Sequence, residues 1–185
     1  MGFHTFDAER AANLNDPARY EYLSVDELLA LLTPAPDDRV LDLGSGTGFY
    51  TDDVAAHVGS VVGVDVQATM HRRYRARGVP SNVDLVTAEA SALPFADGVF
   101  DAVFSTMTYH EFADEVALAE LRRVLGPDGR LAIGDWTAAG KGARGPPLIE
   151  RFDAATATDH LRDAGFDVVR AVDRRETFVV AARVR

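Results

Sequence analysis

Short apolar runs alternating with stretches of helical length constrain this chain more than any other feature. The runs are RVLDLG (39–44), SVVGVDV (60–66), NVDLVTA (82–88), VFDAVFST (99–106) and RLAIGDW (130–136). Nearly continuous apolar strands are buried on both faces, which demands a parallel sheet with helices on either side. LSVDELLALLTP (23–34) reads as a helix. Ser24 caps it, Glu27 completes a capping box, and Leu28, Leu29, Leu31 and Leu32 form its apolar face before Pro34 and Pro36 stop it. TGFYTDDVAAHV (47–58), QATMHRRYRARG (67–78) and EVALAELRRVLGPDG (115–129) read as further helices, and LPFADG (93–98) as loop. Right-handed crossovers then make the sheet doubly wound.

The end of the chain follows another rule. After a helix at DAATATDHLRDAGF (153–166), DVVRAVDR and ETFVVAARV are joined by only a short turn. Parallel neighbours need a long crossover, so these two must form an antiparallel hairpin. The expected class is α/β: a doubly wound, mostly parallel seven-stranded sheet with a C-terminal antiparallel hairpin.

The 185 residues suffice for one domain with a full core. They include no cysteine, which excludes disulfides and thiolate chemistry within the chain. No stretch approaches the roughly 20 apolar residues of a membrane span. The start lacks the basic and apolar regions of a signal peptide, and Phe6 stands where a myristoylation signal has Ser or Thr. A cytoplasmic protein is expected. The net charge of −10 disfavours a nucleic-acid partner, and the arginines of MHRRYRARG (70–78) read as a solvated helix face. Lys141 is the only lysine, and the acidic residues are mostly aspartate. A high-salt cytoplasm and plain codon bias both produce such a surface.

VLDLGSGTGFYT (40–51) holds the chemistry. In open parallel sheets ligands sit beyond the carboxyl ends of the strands, where the winding reverses. Gly44, Gly46 and Gly48 let backbone approach a ligand closely. The dinucleotide pattern G-x-G-x-x-G would put its third glycine at position 49, which is Phe49. Asp42 repels a pyrophosphate but suits an ammonium group. Asp65 ends the second strand, where a carboxylate accepts hydrogen bonds from ribose hydroxyls.

With VVGVDV, AEASALPFADGVFDAVFS and ELRRVLGPDGRLAIGDW, this turn resembles the class I S-adenosylmethionine-dependent methyltransferases. The small-molecule branch related to the ubiquinone/menaquinone methyltransferases is the most similar. The resemblance covers roughly 38–136 and implies S-adenosylmethionine as cofactor. It implies that Asp42, Gly44, Ser45, Gly46 and Gly48 hold its methionine part, and Asp65 its ribose. Val66 and Gln67 then lie along the adenine, Glu89 and Ala90 meet the adenine edge, and Ser105 and Thr106 lie beneath the sulfonium. Relatives usually have Asp where Glu89 stands, one methylene shorter. The implied organisation is a single domain: an N-terminal helical lid (1–37), a cofactor-binding core (38–136), and a C-terminal helix and hairpin (137–185).

Substrate faces the segment after the fourth strand in this superfamily. There His110 is the candidate base, and relatives also use a nearby histidine structurally. Of Tyr109 and Glu111, which point apart, one lines the pocket. Trp136 is a pocket wall or core. Tyr20 and Tyr22 seal the lid or pack on the surface. Arg151 is a surface arginine or meets an anionic substrate. No metal is expected. The chain lacks the thiols of arsenite methylation and the Asn/Asp-Pro-Pro-Tyr motif of amino-methylating DNA enzymes. The implied reaction is methyl transfer to O, N or C of a small, partly apolar molecule. The pocket is built from the lid and the loops after strands four and five, or completed by a second subunit of a homo-oligomer. Two other readings stand beside it: a non-catalytic binding module of the same fold serving a partner, and an NAD-dependent oxidoreductase. Thermal unfolding in dilute buffer and in molar salt decides the surface-charge question: a high-salt protein melts higher in salt, and equal melting leaves codon bias.

Overall fold

The computed structural model describes residues 14–185. Readings of the extreme N-terminus, including the Met-Gly start and the front of the lid, lie outside the described residues. The parallel strands are β1 (Arg39–Leu43), β2 (Ser60–Asp65), β3 (Val83–Thr87), β4 (Phe100–Thr106) and β5 (Leu125–Trp136). The hairpin supplies β6 (Phe166–Asp173) and β7 (Thr177–Val184). One sheet holds all seven in the order β3-β2-β1-β4-β5-β7-β6, with β7 antiparallel to both neighbours. The winding runs outward from β1 to β3, then returns to place β4 beside β1. That reversal puts the ligand crevice at the ends of β1 and β4. Among the described residues no helix is long and apolar enough to cross a membrane.

Alternation along the strands sorts side chains into two cores. Leu41, Leu43, Val103, Leu131, Ile133 and Val180 face α5 (Glu115–Val124) and α6 (Ala154–Asp163). Val40, Val61, Phe104, Ala132 and Val179 face α1 (Val25–Leu32), α2 (Phe49–Ala55) and α3 (Ala68–Arg77). A single turn, α4 (Tyr109–Phe112), follows β4.

Two local expectations need correction. The fourth long helix stops at Val124, not 129, and Leu125 already pairs with Phe100. Gly126–Gly129 then bulge before Arg130 resumes pairing opposite Ala102. Pro127 has no N–H to donate and Asp128 adopts φ 59°, so LGPDG makes a strand bulge where helical periodicity carried on through LRRVL. The capping box of α1 is half formed. Ser24 Oγ accepts from the Glu27 N–H at 3.2 Å, but the Glu27 carboxylate pairs with Arg174. In α3 the arginines are exposed as expected, while Met70, His71 and Tyr74 of the same run are buried.

Gly48 begins α2 with φ 83°, and a Cβ there would sit 2.1 Å from the Tyr74 ring. Tyr74 is pinned by its hydroxyl, which donates to Asp52 at 2.5 Å. Gly48→Ala is expected to destabilise the fold by about 2–4 kcal/mol, from left-handed strain plus overpacking. Urea unfolding of the two proteins measures it.

Candidate functional site

Beyond the carboxyl ends of β1, β2, β4 and β5 lies a cavity of about 840 Å³, within the roughly 300–1,000 Å³ typical of small-molecule sites. The glycine turn forms one wall. The Gly44 and Ser45 N–H groups donate to the Val64 carbonyl at 2.8 and 2.9 Å, tying the turn to β2. Gly44 has φ 80°, and a Cβ on it would lie 2.5 Å from the Thr108 side chain. The Asp65 carboxylate accepts from Gly46 N at 2.9 Å and Gln67 N at 2.8 Å, which aims it along the turn. Burial pushes its pKa up against those two hydrogen bonds.

Asp42 is 2 % exposed. Its Oδ2 accepts from Thr51 Oγ1 at 2.6 Å, whereas Oδ1 has no partner among the described residues. Burial raises its pKa to about 7. A buried carboxylate with one oxygen unpaired, on a residue that lines the cavity, fits a cationic or ammonium-bearing ligand. Behind the turn, His71 lies 3.3 Å from both Ser45 Oγ and Thr87 Oγ1. Burial and Arg75 lower its pKa to about 4, so it is neutral and links the turn to β3.

At the other end His110 leaves α4 beside the tip of β5. Its Nδ1 lies 2.9 and 3.1 Å from the two oxygens of Asp135, and its backbone N–H donates to Asp135 at 2.7 Å. Asp135 is fully buried and also accepts from Trp136 N at 2.7 Å. Burial pushes the His110 pKa down, but Asp135, Glu111 and Glu150 outweigh it and the net shift is upward. Glu111 Oε1 lies 3.9 Å from His110 Nε2, and burial raises the Glu111 pKa to about 7.

The cavity collects most of the residues expected from sequence. Asp42, Gly44, Ser45, Gly46, Asp65, Val66, Gln67, Glu89, Ala90 and Thr106 line it, as do Tyr22, His110, Glu111 and Trp136. Four do not. Gly48 serves the start of α2. Ser105 is buried on the opposite side of its strand from Thr106. Tyr109 sits in the core against Phe112, Phe152 and Phe178. Tyr20 donates to Asp53 on the surface and stacks on Phe49. Arg151 is neither on the surface nor turned to substrate. It is 5 % exposed and donates to the carbonyls of Pro146, Thr137 and Arg144, under the Trp136 ring. Sequence reasoning assigned no part to Arg19 or Asp135, whose isolated positions give no spacing signal.

Residues 41–133 match the family model described as a methyltransferase domain, half of the chain. A solved S-adenosylmethionine-dependent methyltransferase from Aquifex aeolicus superposes with a TM-score of 0.89 at 31% identity, covering 98% of this chain and all of that one. The chain belongs to the S-adenosylmethionine-dependent methyltransferase family. A demethylmenaquinone methyltransferase of Thermus thermophilus is 43% identical over 118 residues, 58% of this chain and 51% of the relative. An O-methyltransferase of Penicillium expansum is 30% identical over 182 residues, 87% of this chain and 66% of the relative. The chain spans about half the length of the demethylmenaquinone methyltransferases it matches. Family membership displaces the oxidoreductase reading. Phe49, where a dinucleotide turn has its third glycine, instead packs on Tyr20 and edge-to-face on Tyr50, with ring centroids 4.6 and 4.9 Å apart.

Asp42 yields a paired expectation. Its native pKa of about 7 exceeds the ordinary 3.8, so between those values the folded state holds a proton that the unfolded chain has lost. Stability from this group therefore falls as pH rises through that window. Asp42→Asn is expected to raise the melting temperature at mildly alkaline pH while weakening S-adenosylhomocysteine binding. In the wild type that binding is expected to strengthen as pH rises through 7, as it would if ionised Asp42 met the ligand ammonium. Calorimetry across pH reads the slope, and it is absent in Asp42→Asn.

Proposed function

We propose that this chain methylates a flat, partly apolar hydroxyarene of the quinol kind, using S-adenosylmethionine. The observation that carries this reading is that His110, held by the buried carboxylate of Asp135, lines the same cavity as Asp42, whose Oδ1 is buried without a partner among the described residues. The relatives act, by name, on a demethylated quinone and on oxygen. A quinone in its reduced, quinol form becomes nucleophilic at oxygen and at ring carbon when a hydroxyl loses its proton.

The cofactor, when bound, supplies an activated methyl on a sulfonium. The glycine turn and Asp42 would hold its amino-acid end, Asp65 its ribose, Val66 and Gln67 its adenine, and Glu89 and Ala90 the adenine edge, with Thr106 toward the sulfonium. Carboxylates around the cavity, among them Asp65, Glu111 and Glu150, favour that positive charge. Asp135 accepts from Nδ1, which leaves Nε2 of His110 to take the proton of the acceptor hydroxyl. Glu111, near its own midpoint at neutral pH, can pass that proton on to solvent. Tyr22 and Trp136, with ring centroids 4.8 Å apart, give the ring of the acceptor an aromatic wall. Alignment of the hydroxyarene behind the methyl supplies the rest of the rate. With its acidic balance the protein works on a small molecule in the cytoplasm, not on nucleic acid.

Turnover to S-adenosylhomocysteine with a panel of reduced quinones and naphthols tests this. No methylated product from any member, with cofactor bound, would sink the substrate class. His110→Gln is expected to lower kcat by about 10²–10⁴-fold while leaving cofactor affinity intact. The wild-type rate should rise with pH through a midpoint above the ordinary histidine value of 6.5, since only the neutral ring accepts a proton. Asp135→Asn should move that midpoint down as well as slow the reaction.

A further inference from the structure

The segment between the tip of β5 and α6 forms one rim of the cavity, where Arg144, Gly145, Pro146 and Glu150 line it. It closes with a single 3₁₀ turn, Leu148–Glu150, on which Ile149 is 94 % exposed and Leu148 42 %. The backbone holds these side chains outward. Buried Arg151 donates to the carbonyls of Thr137, Arg144 and Pro146. Gly145 lies against the Trp136 ring, and a Cβ on Gly142 would come within 3.2 Å of Leu148. The apolar turn and the loop before it are therefore one packed unit, with Ile149 at its outer point.

The same unit is basic. Between Asp135 and Glu150 the sequence has no acidic residue and two cations, Arg144 and Lys141, the latter the only lysine of a chain with net charge −10. Both are exposed, and neither has a hydrogen-bond or ion-pair partner among the described residues. The arginines of α3 form another basic surface, but Met70 and Tyr74 there are buried and no exposed large apolar side chain stands among them. At the cavity mouth, exposed aliphatic and unpaired cationic side chains occur together. A convex point of two aliphatic side chains is too small for a stable protein interface, which buries about 800 Å² per partner. It fits a bilayer interface, which accepts a few apolar side chains and, where its lipids are anionic, attracts the cations beside them.

We infer that this rim docks the cavity mouth on an anionic lipid surface, with Ile149 and Leu148 entering the interface and Lys141 and Arg144 meeting the headgroups. The inference deepens the reading of a partly apolar acceptor made above and rests on it for its purpose: an acceptor dissolved in lipid reaches the Tyr22–Trp136 wall without crossing water. The contact is peripheral and reversible. The acidic remainder of the surface is repelled by the same lipids, so only the rim approaches them.

Co-sedimentation with vesicles of phosphatidylglycerol and of phosphatidylcholine is the experiment, at about 0.1 M salt so that surface charges are only partly screened. Wild type is expected to bind the anionic vesicles and not the neutral ones. Ile149→Asp and Lys141→Glu should each weaken that binding by about 10-fold or more, the scale of one aliphatic side chain or one reversed charge. Val169→Asp, at an exposed valine of β6, should leave it unchanged. With a water-soluble naphthol Ile149→Asp keeps wild-type turnover, and with an acceptor embedded in anionic vesicles it is slower. Wild type that binds neither vesicle, or both equally, would overturn the docking, and so would Ile149→Asp that binds as wild type does. An Ile149-dependent dimer in light scattering, without vesicle binding, would assign the rim to a second copy and overturn it too. Failure of the hydroxyarene panel with vesicle binding intact would strike the substrate class and leave the docking standing.

Discussion

The buried carboxylate of Asp42 is the constraint around which the ligand end of this molecule is arranged. It sits near the end of β1 on the face covered by α2, and Thr51 of that helix holds one oxygen. Thr51 reaches it only if α2 begins immediately after the glycine turn, and α2 begins there only because Gly48 accepts φ 83° against the Tyr74 ring. Turn, helix and strand are therefore mutually fixed through one acid. That acid is kept at a disadvantage in the free protein, which is the usual relation between a functional charge and fold stability.

The second arrangement is at the far end of the cavity. Asp135 is satisfied where Asp42 is not: it accepts from two backbone N–H groups and the His110 ring. A fully saturated carboxylate of this kind holds a neighbour in place rather than awaiting a ligand. The loop beyond is built around Arg151, whose carbonyl contacts hold Pro146 and Arg144 at the rim. Gly145 lies so close to Trp136 that a Cβ would come within 2.5 Å of the ring.

The fold was legible because hydrophobic runs report burial on both faces, and the hairpin because its connection is too short for anything else. The glycine turn and Asp65 were legible because their spacing repeats a chemical demand. What escaped had no local signal. LGPDG continued a helical period and was separated from α5 only by sheet pairing with Phe100. Glu27 stood at capping-box spacing, yet a distant arginine, Arg174, took its carboxylate. Tyr109 and Glu111 are near neighbours in sequence, but only the sheet behind α4 decides which of them meets the core. Arg19 and Asp135 acquire meaning only from rings and carboxylates brought close by the tertiary fold.

The Tyr22 carbonyl accepts from Arg174 and from Thr177 Oγ1, at the junction of β6 and β7. The chain segment leading into α1 is thus riveted to the turn between the last two strands, with Leu23 fully buried behind it. Upstream of this rivet the 3₁₀ turn Pro17–Glu21 is tied to α2 by the Tyr20–Asp53 and Arg19–Tyr50 hydrogen bonds and by the rings beneath the Arg19 guanidinium. The position of that turn therefore follows α2 and the glycine turn before it, whereas the position of Tyr22 follows the sheet.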